Sequence, residues 1–190
     1  MAEDLSLVEK VLGVHRALQQ AGISHAFGGA LALAYYAEPR ATADIDINVF
    51  LPPGDHDRVA VALGSLGVDA SLPRVEQEGQ GRVRWGRTPL DLFYSYNPLH
   101  DEMAAEVRDQ PFGGDSTLPV LAPEHLVVCK AVFDRPKDWV DISEVVATTD
   151  FSHSTVTGWL EEIVGADDAR TLRFRAVSAE AAGKSGGASA

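Results

Sequence analysis

The stretch "DLSLVEKVLGVHRALQQAG" at residues 4–22 repeats its apolar positions with a helical period: Leu5, Val8, Leu12, Ala17 and Leu18 mark one stripe, and Gly22 supplies the stop. "ISHAF" then predicts a short strand running into Gly28-Gly29, and "ALALAYYA" a compact apolar helix ended by Pro39. In "DIDINVF" the period becomes two, a strand with Ile45, Ile47 and Val49 on its inner face. "DHDRVAVALGSLG" returns to a helix, with Gly67 just beyond it. "RVRW" and "PLDLFYSY" predict two strands around Gly86. A short helix near "LHDEMAAEV" follows, then an extended piece around "STLPVLA". "PEHLVVCKAVFD", opened by Pro123, "KDWVDISEVVAT" and "HSTVTGWLEEIV" predict three further helices.

Strands early and helices late predict an α/β (α+β) fold, a small mixed sheet flanked by helices and followed by a helical C-terminal half. Residues 1–175 are expected to form one domain, α/β to about residue 121 and helical over about 122–165. The small, polar, glycine-rich stretch 176–190 is expected to be a disordered tail.

Composition narrows the function classes. The chain of 190 residues is 45% hydrophobic and 23% charged, an ordinary globular balance. No apolar run approaches the roughly 20 residues that cross a bilayer, and "MAEDLSLVEK" lacks the basic start of a signal peptide. The lone Cys129 cannot form an intramolecular disulfide; a cytoplasmic location and no membrane partner are expected. A net charge of −12 argues against a broad nucleic-acid surface, though Arg82, Arg84 and Arg87 form a local basic cluster in "RVRWGR". The histidines show no metal-ligand spacing. "GKS" at 183–185 is not a phosphate loop, because position 178 is Ser where that loop needs Gly.

Three aspartates carry the candidate chemistry. Asp44, Asp46 and Asn48 share the outer face of "DIDINVF", with Cα atoms two apart separated by about 6.6 Å, so that Asp44 and Asp46 can reach common divalent cations. Asp91 lies in the strand "TPLDLFYSY". Three carboxylates from two neighbouring strands can hold two magnesium ions for in-line attack on a phosphate. Gly28-Gly29, between a strand and a helix, lets the backbone approach a phosphate closely. For Lys130 the plain alternative is a surface ion pair with Asp134 one turn away; for Asp138 and Asp141, an exposed acidic helix face.

Gly28-Gly29, "PRATADIDINV" and "LDLFY" together resemble the nucleotidyltransferase superfamily of the polymerase-beta type, and "LPVLAPEHLVVCKAVFDRPKDWVDISEV" is similar to a segment of its AbiEii/MenT-like toxin branch. The resemblance implies a magnesium-dependent enzyme that moves a nucleotide from an NTP to an acceptor. It places Gly28 and Gly29 against the triphosphate, magnesium on Asp44, Asp46 and Asp91, and the general base on Asp91. Arg40 and Thr42 would touch phosphate oxygens, Lys130 would neutralise the triphosphate, and Asp138 or Asp141 would complete the distal half. The toxin branch further implies tRNA 3′ ends as acceptor, guided by the 82–87 arginines, and a cognate antitoxin protein. A small molecule such as an aminoglycoside, or a protein hydroxyl, is the alternative acceptor. A non-catalytic binding module of the same fold is the rival from another class, against which the intact aspartate set speaks.

Overall fold

The computed structural model describes residues 5–68 and 79–186, and the chain divides into two compact units. The division is not linear: the first unit holds the residues up to Leu31 and Ala41–Leu121, the second Ala32–Arg40 and the residues from Ala122 onward.

In the first unit, helix α1 (Leu7–Gln20) opens on a capping box, Ser6 accepting from the Glu9 amide while Glu9 reaches back to the Ser6 amide. The strands are β1 (His25–Phe27), β2 (Ile45–Val49), β3 (Gln80–Trp85), β4 (Thr88–Tyr94), β5 (Arg108–Phe112) and β6 (Ser116–Val120). They form one mixed sheet in the order β3-β4-β2-β1-β6-β5, parallel at β2–β4 and β1–β6. Helices α2 (Gly29–Leu33), α3 (His56–Gly64) and α4 (Pro98–Ala105) complete the early elements. Strand β5, "RDQPF", was not among the expected elements, since it has no apolar alternation; it exists because β6 pairs with it along its whole length.

One face of the sheet buries Ile45, Ile47, Val83, Trp85, Leu90 and Leu92. Helix α1 covers this face: a Cβ on Gly13 would come within 2.9 Å of the Trp85 indole. The buried stripe of α1 is Lys10, Val11, Val14, Ala17 and Leu18, whereas Leu5 and Val8 of the expected stripe are exposed. Both stripes obey the helical period, and contact with the sheet selects the second.

In the second unit, α5 (Pro123–Phe133) is the buried central helix, and α6 (Pro136–Thr148), α7 (His153–Ile163) and α8 (Ala169–Gly186) pack with it. Asp134 closes α5 in the left-handed region, φ 55°, and Pro136 starts α6 immediately after. The 32–40 segment is tied in through the Tyr36 carbonyl, which accepts from the hydroxyls of Thr148 at 2.7 Å and Thr149 at 2.6 Å. Residues 176–186, expected to lack structure, continue α8. Alanine and glutamate are strong helix formers, and Phe174 and Thr171, both fully buried, anchor the preceding turns. The rest of the expected tail, 187–190, lies outside the described residues. No helix among the described residues is long and apolar enough to cross a membrane.

Candidate active site

Alternation in β2 buries Ile45, Ile47 and Val49 and turns Asp46 to the opposite face, where it is half-buried. Asp46 is the register partner of Asp91 on the parallel neighbour β4. Asp91 in turn faces Arg82 on the antiparallel β3. On the other side, the Gly28 amide donates to the Asp46 carbonyl at 3.0 Å. An arginine, two aspartates and a glycine thus form one row across three neighbouring strands and the residue that follows β1.

The glycine loop has to be glycine. Gly29 adopts φ +52°, and a Cβ there would sit 1.8 Å from Asp46 Oδ2. Gly28 is also tightly placed: its Cβ would lie 2.9 Å from Nδ2 of Asn48, which is buried. Gly29 lies against the Asp46 carboxylate, and the Gly28 amide is engaged by the Asp46 carbonyl.

Arg82 grips Asp91 with both ends of its guanidinium, Nε to Oδ1 at 2.5 Å and Nη2 to Oδ2 at 2.6 Å. This hydrogen bonding, then the Asp91 charge, and more weakly Asp44 and Asp46, hold Arg82 even more firmly protonated. The Arg82 side chain is 60% exposed and the Asp91 side chain 15%. The pairing can be counted from the sequence: in a two-residue hairpin at Gly86-Arg87, where Trp85 faces Thr88, Arg82 must face Asp91. The reading of the arginine cluster as a guide for an acceptor missed it. Arg84 and Arg87 remain exposed on the same hairpin.

Asp44 stands just before β2, half-buried, in a turn closed by the Thr42 hydroxyl, which accepts from the Asp44 amide at 3.3 Å and donates to its carbonyl at 3.2 Å. Thr42 thereby shapes the turn carrying the first aspartate.

The remaining candidates form a separate cluster in the second unit. Lys130 Nζ donates to Asp141 Oδ2 at 2.6 Å and lies 3.8 Å from Asp138 Oδ1. Arg40 adds a two-pronged grip on Asp141, at 3.3 and 3.1 Å, and Arg135 one on Asp138, at 2.6 and 3.1 Å. Burial works against ionisation of Asp141, but the hydrogen bonds from Lys130 and Arg40, with their charges, outweigh it and hold its carboxyl below the usual range. Two plain alternatives fail here. Lys130 is buried and does not pair with the Asp134 side chain, which accepts instead from Trp139 Nε1 at 2.6 Å. Asp138 and Asp141 are buried as well, so they are not an exposed acidic face.

No protein-family model matches the chain, and neither does any curated protein sequence. Solved structures do. The antibiotic-resistance factor ANT(2'')-Ia, a solution structure, is 12% identical with a TM-score of 0.53 over 95% of this chain and 93% of its own. The lincosamide antibiotic adenylyltransferase LnuA, bound to lincomycin, is 13% identical with a TM-score of 0.53, over 74% of this chain and 98% of its own. An antigenic nucleotidyltransferase-like protein from Paracoccidioides brasiliensis is 16% identical with a TM-score of 0.52, over 92% and 87%. At such low identity the likeness speaks for architecture alone, and the architecture is clear: this chain has the nucleotidyltransferase-type fold.

Proposed function

We propose that this protein is a metal-dependent nucleotidyltransferase, with magnesium held by Asp44, Asp46 and Asp91. The observation that carries the reading is the row itself, in which Asp46 and Asp91 are side by side on parallel strands and Gly29 lies against the Asp46 carboxylate. The donors fit a hard cation: they are carboxylate oxygens, half-accessible, and one already holds a positive group, the Arg82 guanidinium. Two bound magnesium ions would neutralise charge developing on the triphosphate and favour in-line displacement.

The chain's own residues would do the rest. The acceptor hydroxyl oxygen bonds to the α-phosphorus, the bond from that phosphorus to the bridging oxygen breaks, and pyrophosphate leaves with the electron pair. Asp91 takes the hydroxyl proton. Because Arg82 covers both Asp91 oxygens, the guanidinium has to turn away first, which its exposed position permits. Lys130, Asp138 and Asp141 hold the helical unit together in this proposal, and any contact of Lys130 with the triphosphate is read from the KM for the NTP.

For the acceptor, the proposal favours a small-molecule hydroxyl. The structures of similar fold include an antibiotic-resistance factor and a lincosamide antibiotic adenylyltransferase. The second reading, a toxin acting on tRNA 3′ ends and held by a cognate antitoxin, is favoured by the exposed Arg84 and Arg87 on the hairpin leading into the Asp91 strand. Incubation of the pure protein with labelled NTPs and magnesium, against aminoglycosides, lincosamides and total tRNA, separates them. Label on a small molecule supports the first reading, and salt-sensitive label on RNA the second. No label on any acceptor, the protein itself included, overturns nucleotidyl transfer.

A further inference from the structure

Lys10 stands within the buried stripe of α1 and is 4% exposed. Its ammonium has three N–H donors. One reaches the Trp85 carbonyl at 3.3 Å and one the Thr88 hydroxyl at 2.9 Å, both neutral acceptors. Among the described residues no carboxylate pairs with it. A buried cation with only neutral partners is costly. Tying α1 to the β3–β4 turn explains the two hydrogen bonds but not the choice of a charged residue.

A cleft of about 260 Å³ opens beside it. Arg87 and the hydroxyl-bearing Thr42 and Thr88 line it together with Lys10, Leu5 and Leu7 form an apolar wall, and among the described residues no carboxylate lines it. In a chain of net charge −12, two cations and two hydroxyl-bearing residues converging on one cleft are a donor set for an oxyanion. The volume falls just below the roughly 300–1,000 Å³ of pockets for drug-sized ligands, so it suits a small anion or the anionic end of a small molecule, not a whole nucleotide.

The cleft is distinct from the acid row. Lys10 lies on the face of the sheet that α1 covers, and the row lies on the other. Thr88 precedes Asp91 by three strand residues, about 10 Å. Besides that strand, the 42–44 turn links the two, since Thr42 closes it on Asp44.

We infer that this cleft is an anion-binding site that takes one phosphate or carboxylate group of a small molecule, with Lys10 offering its third N–H and Arg87 its guanidinium. The site does not depend on nucleotidyl transfer, so its test omits nucleotide and metal. The full chain in EDTA is titrated with sodium phosphate and, separately, sodium acetate, against sodium chloride at matched ionic strength, with thermal melting and amide NMR shifts as readouts. The expected result is saturable stabilisation, with shifts confined to the amides around residues 7–10, 42–43 and 87–88. Phosphate alone being bound identifies a phosphate site; binding of both anions identifies one open to carboxylates too. Lys10→Met should weaken binding about tenfold or more, and Arg87→Ala about three- to fivefold, because each removes a charge-assisted donor. Arg87 is exposed, so its variant keeps the fold even where Lys10→Met does not. Neither anion acting beyond chloride overturns the inference. So does affinity unchanged in Arg87→Ala, or shifts centred on residues 44–46 and 91.

Discussion

Two groups of aspartates in this protein share one chemistry and live in different surroundings. Asp46 and Asp91 sit partly buried on a sheet face, the Asp91 side chain 15% exposed, and the cation against Asp91 is an arginine whose side chain is 60% exposed. Asp138 and Asp141, with side chains 0% and 6% exposed, lie among Lys130, Arg40 and Arg135 in the helical unit. An exposed arginine can leave its carboxylate at little cost, because water replaces what it gives up. A buried lysine cannot, since removing it strands a charge in low dielectric. The first group is therefore free to exchange its cation, as the proposed chemistry requires, while the second keeps its cations in place.

The largest expected effect tests the exchangeable group. Asp46→Asn should reduce transfer by about 1,000-fold, ~4 kcal/mol of barrier, by removing a metal-ligand charge. The melting temperature should stay within a few degrees of the parent, since the site is half-exposed. Full activity in a normally folded variant would remove the row from the chemistry.

Next comes the locked group. Lys130→Met should destabilise the fold by about 3 kcal/mol, lowering the melting temperature by roughly 10 °C. A surface pair would instead cost about 0.3–0.5 kcal/mol. Residual activity of the folded fraction, measured as a function of NTP concentration, shows whether KM also rises; a stable variant with a raised KM would move Lys130 out of the scaffold and onto the triphosphate.

Acid sensitivity should separate the groups further. The folded-state proton affinity of Asp141 is depressed, so its contribution to stability is present above the ordinary carboxylate range and is lost as pH falls below about 4. Asp141→Asn should be less stable than the parent at neutral pH and should flatten that acid limb. Urea melts from pH 6 to pH 2.5 check this, and parallel curves for parent and variant would contradict it.

The smallest effect on stability belongs to Arg82. Arg82→Ala should change it by less than about 1 kcal/mol, because the arginine of the pair is solvent-exposed. It should nonetheless lower the magnesium concentration needed for half-maximal activity, since Asp91 no longer has to shed a guanidinium. A higher magnesium requirement would mean that Arg82 helps build the metal site.

Much of this was legible along the chain. The strands carrying Asp46 and Asp91 announce themselves because their apolar alternation matches the face they bury, and the helix carrying Lys130 because its apolar run follows Pro123 at a helix start. Gly28-Gly29 marked a close backbone approach, and the geometry at Gly29 supplies the object of that approach, the Asp46 carboxylate. The partners of the charged residues were harder to read. Arg40, Lys130 and Asp141 are far apart in sequence, and nothing local ties the three together. Lys10 was hidden for the same reason: an amphipathic period leaves the rotation of a helix ambiguous by a residue or two, and only its packing against the sheet decides.

The sequence by itself determined the element types, the mixed α/β character and the three aspartates on β-favouring strands, because those follow from alternation, period and backbone propensity within a few residues. Only the tertiary structure decided that Asp46 and Asp91 are register partners, that Arg82 closes on one of them, and that 32–40 joins the helical unit. Register, burial and ion-pair partners depend on contacts between distant segments, and the free energy of a charge depends on its neighbours more than on its own identity.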